Sequence, residues 1–504
     1  MTKHAYYDWF GNIIKADTNS CLSTSWVFSG TTQYAYPNSV VCGTGSPTLT
    51  QNFAYNAYTG QLYTSTDPNS QQSVYQYADP LKRLTSAERS DGVTRTIAYN
   101  DSSNATTITT PITASSSAKT VAAADGLGRV IKTTTEDAAG TSYSIVEQQY
   151  DPVGRAYKTS NPHNSTAQYW TEIDFDALGR PTKATAPAPD SSVTNYTYAT
   201  NTLTVSDPAG KARKFQNDGT GRLAAVYEPD VTNGNALTIK TSYSYTVLDF
   251  LIGVAQGVQT RTFGFDNLGR LTTVKDPETN SVAYQYQYND FDLLTQRTDP
   301  RGVITTYGYD TLNRLHQISY NVGSTGVPSP GTVTYNYGTN AAQNNNGRLT
   351  SMTDGSGSES YTYDTIGRVT QLQKMVGSTT YPVGYGYDYA NQITSITYPS
   401  GRTVQQNPDA IGRLNSVVGT LNSVQTTYAS GFSYGPASQP TGFEYGNGFF
   451  ASYGFSPDRL QLTCLDYSKT NRSGTCTHDS GTRFGLTYSY GTAGSKRRVD
   501  RSDH

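Results

Sequence analysis

Strong helix formers are scarce in this 504-residue sequence: only 8 of its 39 acidic residues are Glu and only 14 of its 37 basic residues are Lys. Thr, Tyr, Val, Gly, Asn and Asp abound instead, which points to extended structure with many turns. Charged residues make up 15% of the chain, the net charge is -2 and no basic block occurs. Nucleic-acid affinity rests largely on phosphate neutralisation, so that partner is excluded. No apolar run approaches the roughly 18 residues that a membrane-spanning helix requires, and the opening residues, Met1 to Asp8, lack the apolar core of a signal peptide. Histidine occurs only at His4, His163, His316, His478 and His504, never at i, i+4 spacing, and neither a Gly-x-Ser-x-Gly elbow nor a P-loop is present. The familiar signatures of metal-dependent, acyl-transfer and phosphate chemistry are therefore missing.

Apolar residues amount to 35%, below the roughly 45–50% of globular domains, a deficit that by itself suggests disorder. The 12% aromatic content, with 41 Tyr, and the low charge are the opposite of the balance that keeps a chain unfolded. The chain folds, and at this length it holds either several domains or one repetitive architecture.

A repeat decides between them. The segment Asp-x-x-Gly-Arg occurs seven times: Asp125 with Gly128 and Arg129, Asp151 with Gly154 and Arg155, Asp176 with Gly179 and Arg180, Asp218 with Gly221 and Arg222, Asp266 with Gly269 and Arg270, Asp364 with Gly367 and Arg368, and Asp409 with Gly412 and Arg413. Residue frequencies alone would supply roughly 0.1 copies. Successive glycines lie 26, 25, 42, 48, 98 and 45 residues apart, near multiples of a unit of roughly 20–27 residues. Degraded copies fill the gaps, among them Tyr243-Ser-Tyr245, Tyr286-Gln-Tyr288-Asn289, Tyr307-Gly-Tyr309-Asp310 and Tyr385-Gly-Tyr387-Asp388. Further traces from Tyr7-Asp8 to Tyr488-Ser-Tyr490 extend the array over residues 1–494 with no linker, leaving 495–504 as an off-pattern basic tail that reads as disordered.

The full unit is aromatic-x-aromatic-Asp-x-x-Gly-Arg-(Leu/Val)-Thr, as in Tyr361 to Thr370. Alternation places both aromatics on one face of a strand. Asp opens a turn by accepting backbone N–H groups ahead of it, and Gly supplies a positive φ before the returning strand. Asn313 in place of Gly agrees with this, since Asn tolerates the left-handed region; Lys82 in the same place does not, and implies a differently shaped turn. A second set of turn signals, such as Asp207-Pro-Ala-Gly210 and Asp299-Pro-Arg-Gly302, ends each returning strand. The expected fold is all-β, an array of antiparallel hairpins stabilised by pairing with neighbours.

This unit closely resembles the Tyr-Asp repeat of the rearrangement-hotspot (Rhs) family, related to the shells of insecticidal toxin complexes and of teneurins. The resemblance implies a hollow spiral β-sheet shell that carries a variable C-terminal toxin before delivery, with no cofactor and an extracellular or envelope-associated place in a bacterium. The implied partners are that toxin with its closing segment, or export machinery. The closing segment of family members with cargo has no counterpart between Tyr490 and His504, so the chain is expected to be a fragment or the product of a truncated gene.

Acid-base chemistry needs one constellation with distinct environments, whereas these Asp and Arg residues recur at equivalent turns, which makes them structural. Asp174 with Asp176 and Asp290 with Asp292 are paired carboxylates at strand spacing, without a partner ligand. Cys21 with Cys42 and Cys464 with Cys476 each bracket a polar insertion; a disulfide per pair is the preferred reading over free thiols, and Cys464, Cys476 and His478 lack the spacing of a zinc site. Rows of exposed Tyr allow one rival function, a carbohydrate-binding or partner-binding surface module; the bland reading is that the Tyr residues line the sheet.

Overall fold

The computed structural model describes residues 5–16, 23–43, 47–279, 282–471, 476–478 and 482–491, together with the backbone of 496–502. Among these the chain forms 42 strands in one open sheet and no α-helix, only four short 3-10 turns. Every pairing between strands joins chain neighbours in antiparallel order, so hairpin follows hairpin, as in Gly357–Tyr363 with Val369–Val376 and then Thr379–Tyr387. Burial alternates as the aromatic spacing requires: in Tyr284–Tyr288 each Tyr is half-buried and each intervening Gln exposed.

The tail is a correction. Lys496–Ser502 forms a strand on Thr482–Tyr490. Backbone pairing needs no apolar side chains, and the last aromatic strand offers a row of N–H and C=O groups that an extended basic segment can meet.

Contacts divide the chain into two compact units, residues 1–94 with 243–385 and residues 95–242 with 386–504. The divisions fall inside the strands Thr94–Asn100, Ala236–Tyr245 and Thr379–Tyr387. Each unit joins an earlier stretch of chain to a later one. In the first, the amides of Asn69 and Asn346 form a reciprocal pair across 277 residues, with Asn346 N–H donating to Asn69 Oδ1 at 2.7 Å and Asn69 Nδ2 to Asn346 O at 3.1 Å. In the second, Arg459 Nε donates to Asp190 Oδ2 at 2.7 Å across 269 residues, and Asn161 Nδ2 to Asp458 O at 2.7 Å across 297.

These contacts obey one rule. The later stretch brings turns of the Asp-Arg class, and the earlier stretch brings the return turns that join one such hairpin to the next. Tyr389 N–H donates to Ile112 O at 3.0 Å, and the Arg413 guanidinium lies 4.9 Å from the Tyr143 ring centre. Leu312, at the tip of its turn, is 1% exposed, and a Cβ on Gly43 would fall 2.5 Å from its Cδ2.

Candidate functional site

The recurrent turn is the chemistry-bearing feature of the chain. In all seven intact copies the Gly N–H donates to Asp O at 3.0–3.1 Å, and the Gly φ lies between 78° and 93°. Asp Oδ1 accepts the N–H two residues on at 2.9–3.1 Å. It also accepts the Arg N–H at 2.8–3.0 Å. Asp Oδ2 receives the Arg Nε at 2.6–2.8 Å. One carboxylate thus satisfies two turn donors and fixes the guanidinium in a charge-assisted arrangement.

Five of these Arg residues, and two from degraded copies, then reach a neighbouring ring. Arg129, Arg155, Arg180, Arg270, Arg314, Arg348 and Arg413 lie over the ring just before the next Asp-class turn, or its Tyr198 counterpart, at 4.0–5.7 Å. The tyrosine of that next hairpin donates its hydroxyl back to the carbonyl after the Arg, as Tyr288 to Leu271 at 2.8 Å and Tyr434 to Leu414 at 2.6 Å. The motif's final Thr sits in a bulge, where two residues of the returning strand oppose one: Thr362 pairs with Gln371 and Tyr363 with Val369, leaving Thr370 between. At equivalent positions Thr182 donates to Asp174 O at 3.2 Å and Thr295 to Gln287 O at 3.2 Å.

Degraded copies keep this geometry with other chemistry. Thr246 replaces Asp, its hydroxyl accepting the N–H groups of Leu248 and Phe250, and Phe250 stacks on Phe265 at 5.1 Å where Arg would lie over Tyr. Asn313 has φ 59°, as its turn requires. Lys82 corrects the expectation of a different turn: its φ is 58°, its N–H donates to Asp79 O at 2.9 Å, and Arg83 Nε reaches Asp79 Oδ2 at 2.8 Å. The bonds made by Asp79 hold Lys82 in a region that a side chain ordinarily avoids.

The hydrogen bond from Arg83 holds the Asp79 carboxyl down to about 2, and those of Asp125, Asp176 and Asp266 are likewise below the ordinary carboxylate value, through the Arg129 guanidinium and the backbone N–H groups of Arg180 and Arg270 first. A carboxyl depressed on folding contributes stability that is complete above its unfolded value, near 4, and lost as pH falls through its folded value. The melting temperature by circular dichroism should therefore be level above about pH 5 and fall between about pH 4 and 2. A level profile down to about pH 2 would show that the carboxylates contribute nothing.

Of the paired carboxylates, Asp176 holds its own turn, Asp174 is exposed 4.0 Å from Lys183, and Asp292 accepts Arg270 Nη1 at 3.1 Å from the glycine position of its turn, while Asp290 is exposed. They do not converge. No cluster of three His, Cys, Asp or Glu residues able to hold a metal occurs among the described residues. In the row Tyr284–Tyr288 the tyrosines are half-buried, and Tyr288 lies under Arg270 and donates to Leu271 O. Cys464 and Cys476 form a disulfide; Cys21 lies outside the described residues. Beside the disulfide is a cluster that sequence reasoning missed: fully buried Asp466 accepts His478 Nδ1 at 3.1 Å and Thr482 Oγ1 at 2.8 Å. His478 and Thr482 flank residues 479–481, and no repeat position signals them.

The profile of the Teneurin YD-shell family matches residues 331–435, and that of the RHS Repeat matches 288–325. Residues 288–325 and 331–435 thus carry sequence of the RHS and YD-shell kind. The chain superposes on the crystal structure of TcdB2-TccC3 with a TM-score of 0.85 at 14% identity, covering 99% of this chain and 30% of that one. The structure titled TcdB2-TccC3-Cdc42 gives 0.84 at 12% identity, with 99% and 32% covered. The Photorhabdus luminescens Tc holotoxin pore, with a TccC3 variant, gives 0.83 at 13% identity, again with 99% and 32% covered. At such identities the likeness shows the fold, and the chain spans about a third of the length of those chains. No curated protein sequence matches it.

Proposed function

We propose that this chain is a non-catalytic segment of a toxin shell, enclosing or delivering a protein toxin that it does not itself contain, and that it acts outside the bacterial cytoplasm. The observation that carries the reading is an inequality among identical motif positions. Leu312, docked on a return turn of the earlier stretch, is 1% exposed, whereas the matching tips Leu127, Val153 and Leu178 are 79%, 74% and 78% exposed. An apolar tip that is buried where another stretch lies beside it, with matching tips exposed elsewhere, fits an array built to receive a further stretch of the same kind. The Arg-over-Tyr lattice suits this role, because it braces a wall and converges on no reaction centre.

The test is to co-express the chain with its adjoining reading frames and treat the purified product with protease. The expected result is a co-purified polypeptide that resists digestion until the β structure is denatured. Digestion of every co-expressed product at the same rate with and without this chain would overturn the proposal. Among the described residues no helix is long and apolar enough to cross a membrane.

A further inference from the structure

The disulfide of Cys464 and Cys476 has an acid-base group of its own. Cys464 and Asp466 lie two residues apart on the strand Leu462–Ser468, so both side chains leave the same face of the sheet. His478 bridges them: its Nδ1 is 3.1 Å from Asp466 Oδ1, and its Nε2 is 3.8 Å from Cys464 Sγ. Asp466 is fully buried and also accepts Thr482 Oγ1 at 2.8 Å, which fixes the carboxylate. A carboxylate on Nδ1 makes that nitrogen the donor of the neutral ring, so the lone pair of Nε2 faces the sulfur. Glycines on the neighbouring strands leave the room. A Cβ on Gly485, in Thr482–Tyr490, would fall 2.4 Å from His478 Nδ1, and a Cβ on Gly454, in Phe450–Phe455, would fall 3.2 and 3.3 Å from the Cβ atoms of Cys464 and Cys476.

A disulfide that only clips a loop needs neither a base at its sulfur nor a buried carboxylate behind that base. Sulfur, imidazole and orienting carboxylate in this order are the arrangement that activates a cysteine. We infer that this is a redox-active disulfide that exchanges with small thiols, Cys464 being the sulfur that His478 stabilises as the thiolate. Exposure of 9% at Cys464 and 6% at Cys476 admits a small thiol and excludes the thiol of a folded protein. In the exchange, a thiolate of the reactant attacks Cys476 Sγ, the disulfide bond breaks, and Cys464 leaves with the electron pair. A second thiolate then attacks the mixed disulfide and releases Cys476. Two thiols are thereby oxidised to one disulfide; of their two protons, one ends on His478 Nε2 beside the Cys464 thiolate and the other on Cys476. Stabilising the leaving thiolate speeds the first step, and an imidazolium beside a thiolate keeps it ionised below the ordinary thiol range. The inference is independent of the shell reading, and its failure leaves that reading untouched.

The test treats the full chain with reduced glutathione without denaturant, and follows the freed thiols by iodoacetamide alkylation and mass spectrometry at about pH 6. The disulfide should open in the folded chain, and Cys464 should be alkylated about tenfold faster than Cys476. His478→Gln, with an unchanged circular dichroism spectrum, should slow both the opening and the alkylation of Cys464 about tenfold. If that variant fails to fold, the ratio of the two cysteines in the unaltered chain decides, together with the ultraviolet absorbance of a thiolate at the same pH. A disulfide that glutathione opens only after denaturation, equal alkylation of the two cysteines, or an unchanged rate in folded His478→Gln overturns the inference.

Discussion

Leu312→Ala should open local exchange at two distant places, the Asp310 turn and residues 47–49, whereas Leu178→Ala, the same substitution at the same motif position, should open neither. The side chain of Leu312 is buried where the later stretch docks, and that of Leu178 is 78% exposed. Truncating a buried Leu costs about 2–5 kcal/mol, and truncating an exposed one close to nothing. In a repeat array stability is local, so hydrogen exchange read segment by segment is the appropriate measurement. Equal effects of the two substitutions would show that Leu312 does not act through docking.

Gly367→Val should be more damaging than the same change at the matching turn glycine Gly128. Its φ is +89°, which a β-branched residue resists at a cost of about 1–3 kcal/mol. A Cβ there would also fall 2.5 Å from Arg348 Nη2, displacing a guanidinium that lies 5.7 Å from the Tyr363 ring centre. Loss of that stacking adds about 0.5–1 kcal/mol. Gly128→Val is the control, since a Cβ at Gly128 meets nothing within 4 Å and only the backbone penalty remains. Exchange protection of residues 349–369 should fall further in Gly367→Val than protection of 117–137 falls in Gly128→Val; equal losses would mean that the glycine serves backbone conformation alone.

The two predictions mark where sequence reading succeeds and stops. Both ends of the hairpin motif follow from local chemistry: Asp accepts the N–H groups ahead of it and Gly bears the positive φ, so strands, turns and the facing of the aromatics were legible from spacing. The return turns use the same device, with Asp207 Oδ1 accepting the N–H groups of Ala209 and Lys211, but without an Arg to reach the next ring. Docking was not legible. Leu312 and Leu178 occupy identical motif positions, and what separates them is a contact between stretches some 270–300 residues apart, which leaves no periodic signature in the chain. The φ preference of Lys alone does not decide the Lys82 turn, because Asp79 accepts from Leu81, Lys82 and Arg83.

The docking rule also makes the chain a counting device. Because Asn69 must meet Asn346, and Asp190 must meet Arg459, the intervening hairpins have to add up to a fixed sum, however much any one of them varies in length. A hairpin inserted between two such partners would pair normally with its sheet neighbours and would still set every later turn against the wrong neighbour, bringing a tip where a gap belongs. Such an array is then constrained at two scales: a single turn can keep its geometry with other residues, as Thr246 and Phe250 do, while the number of hairpins between docking partners is fixed.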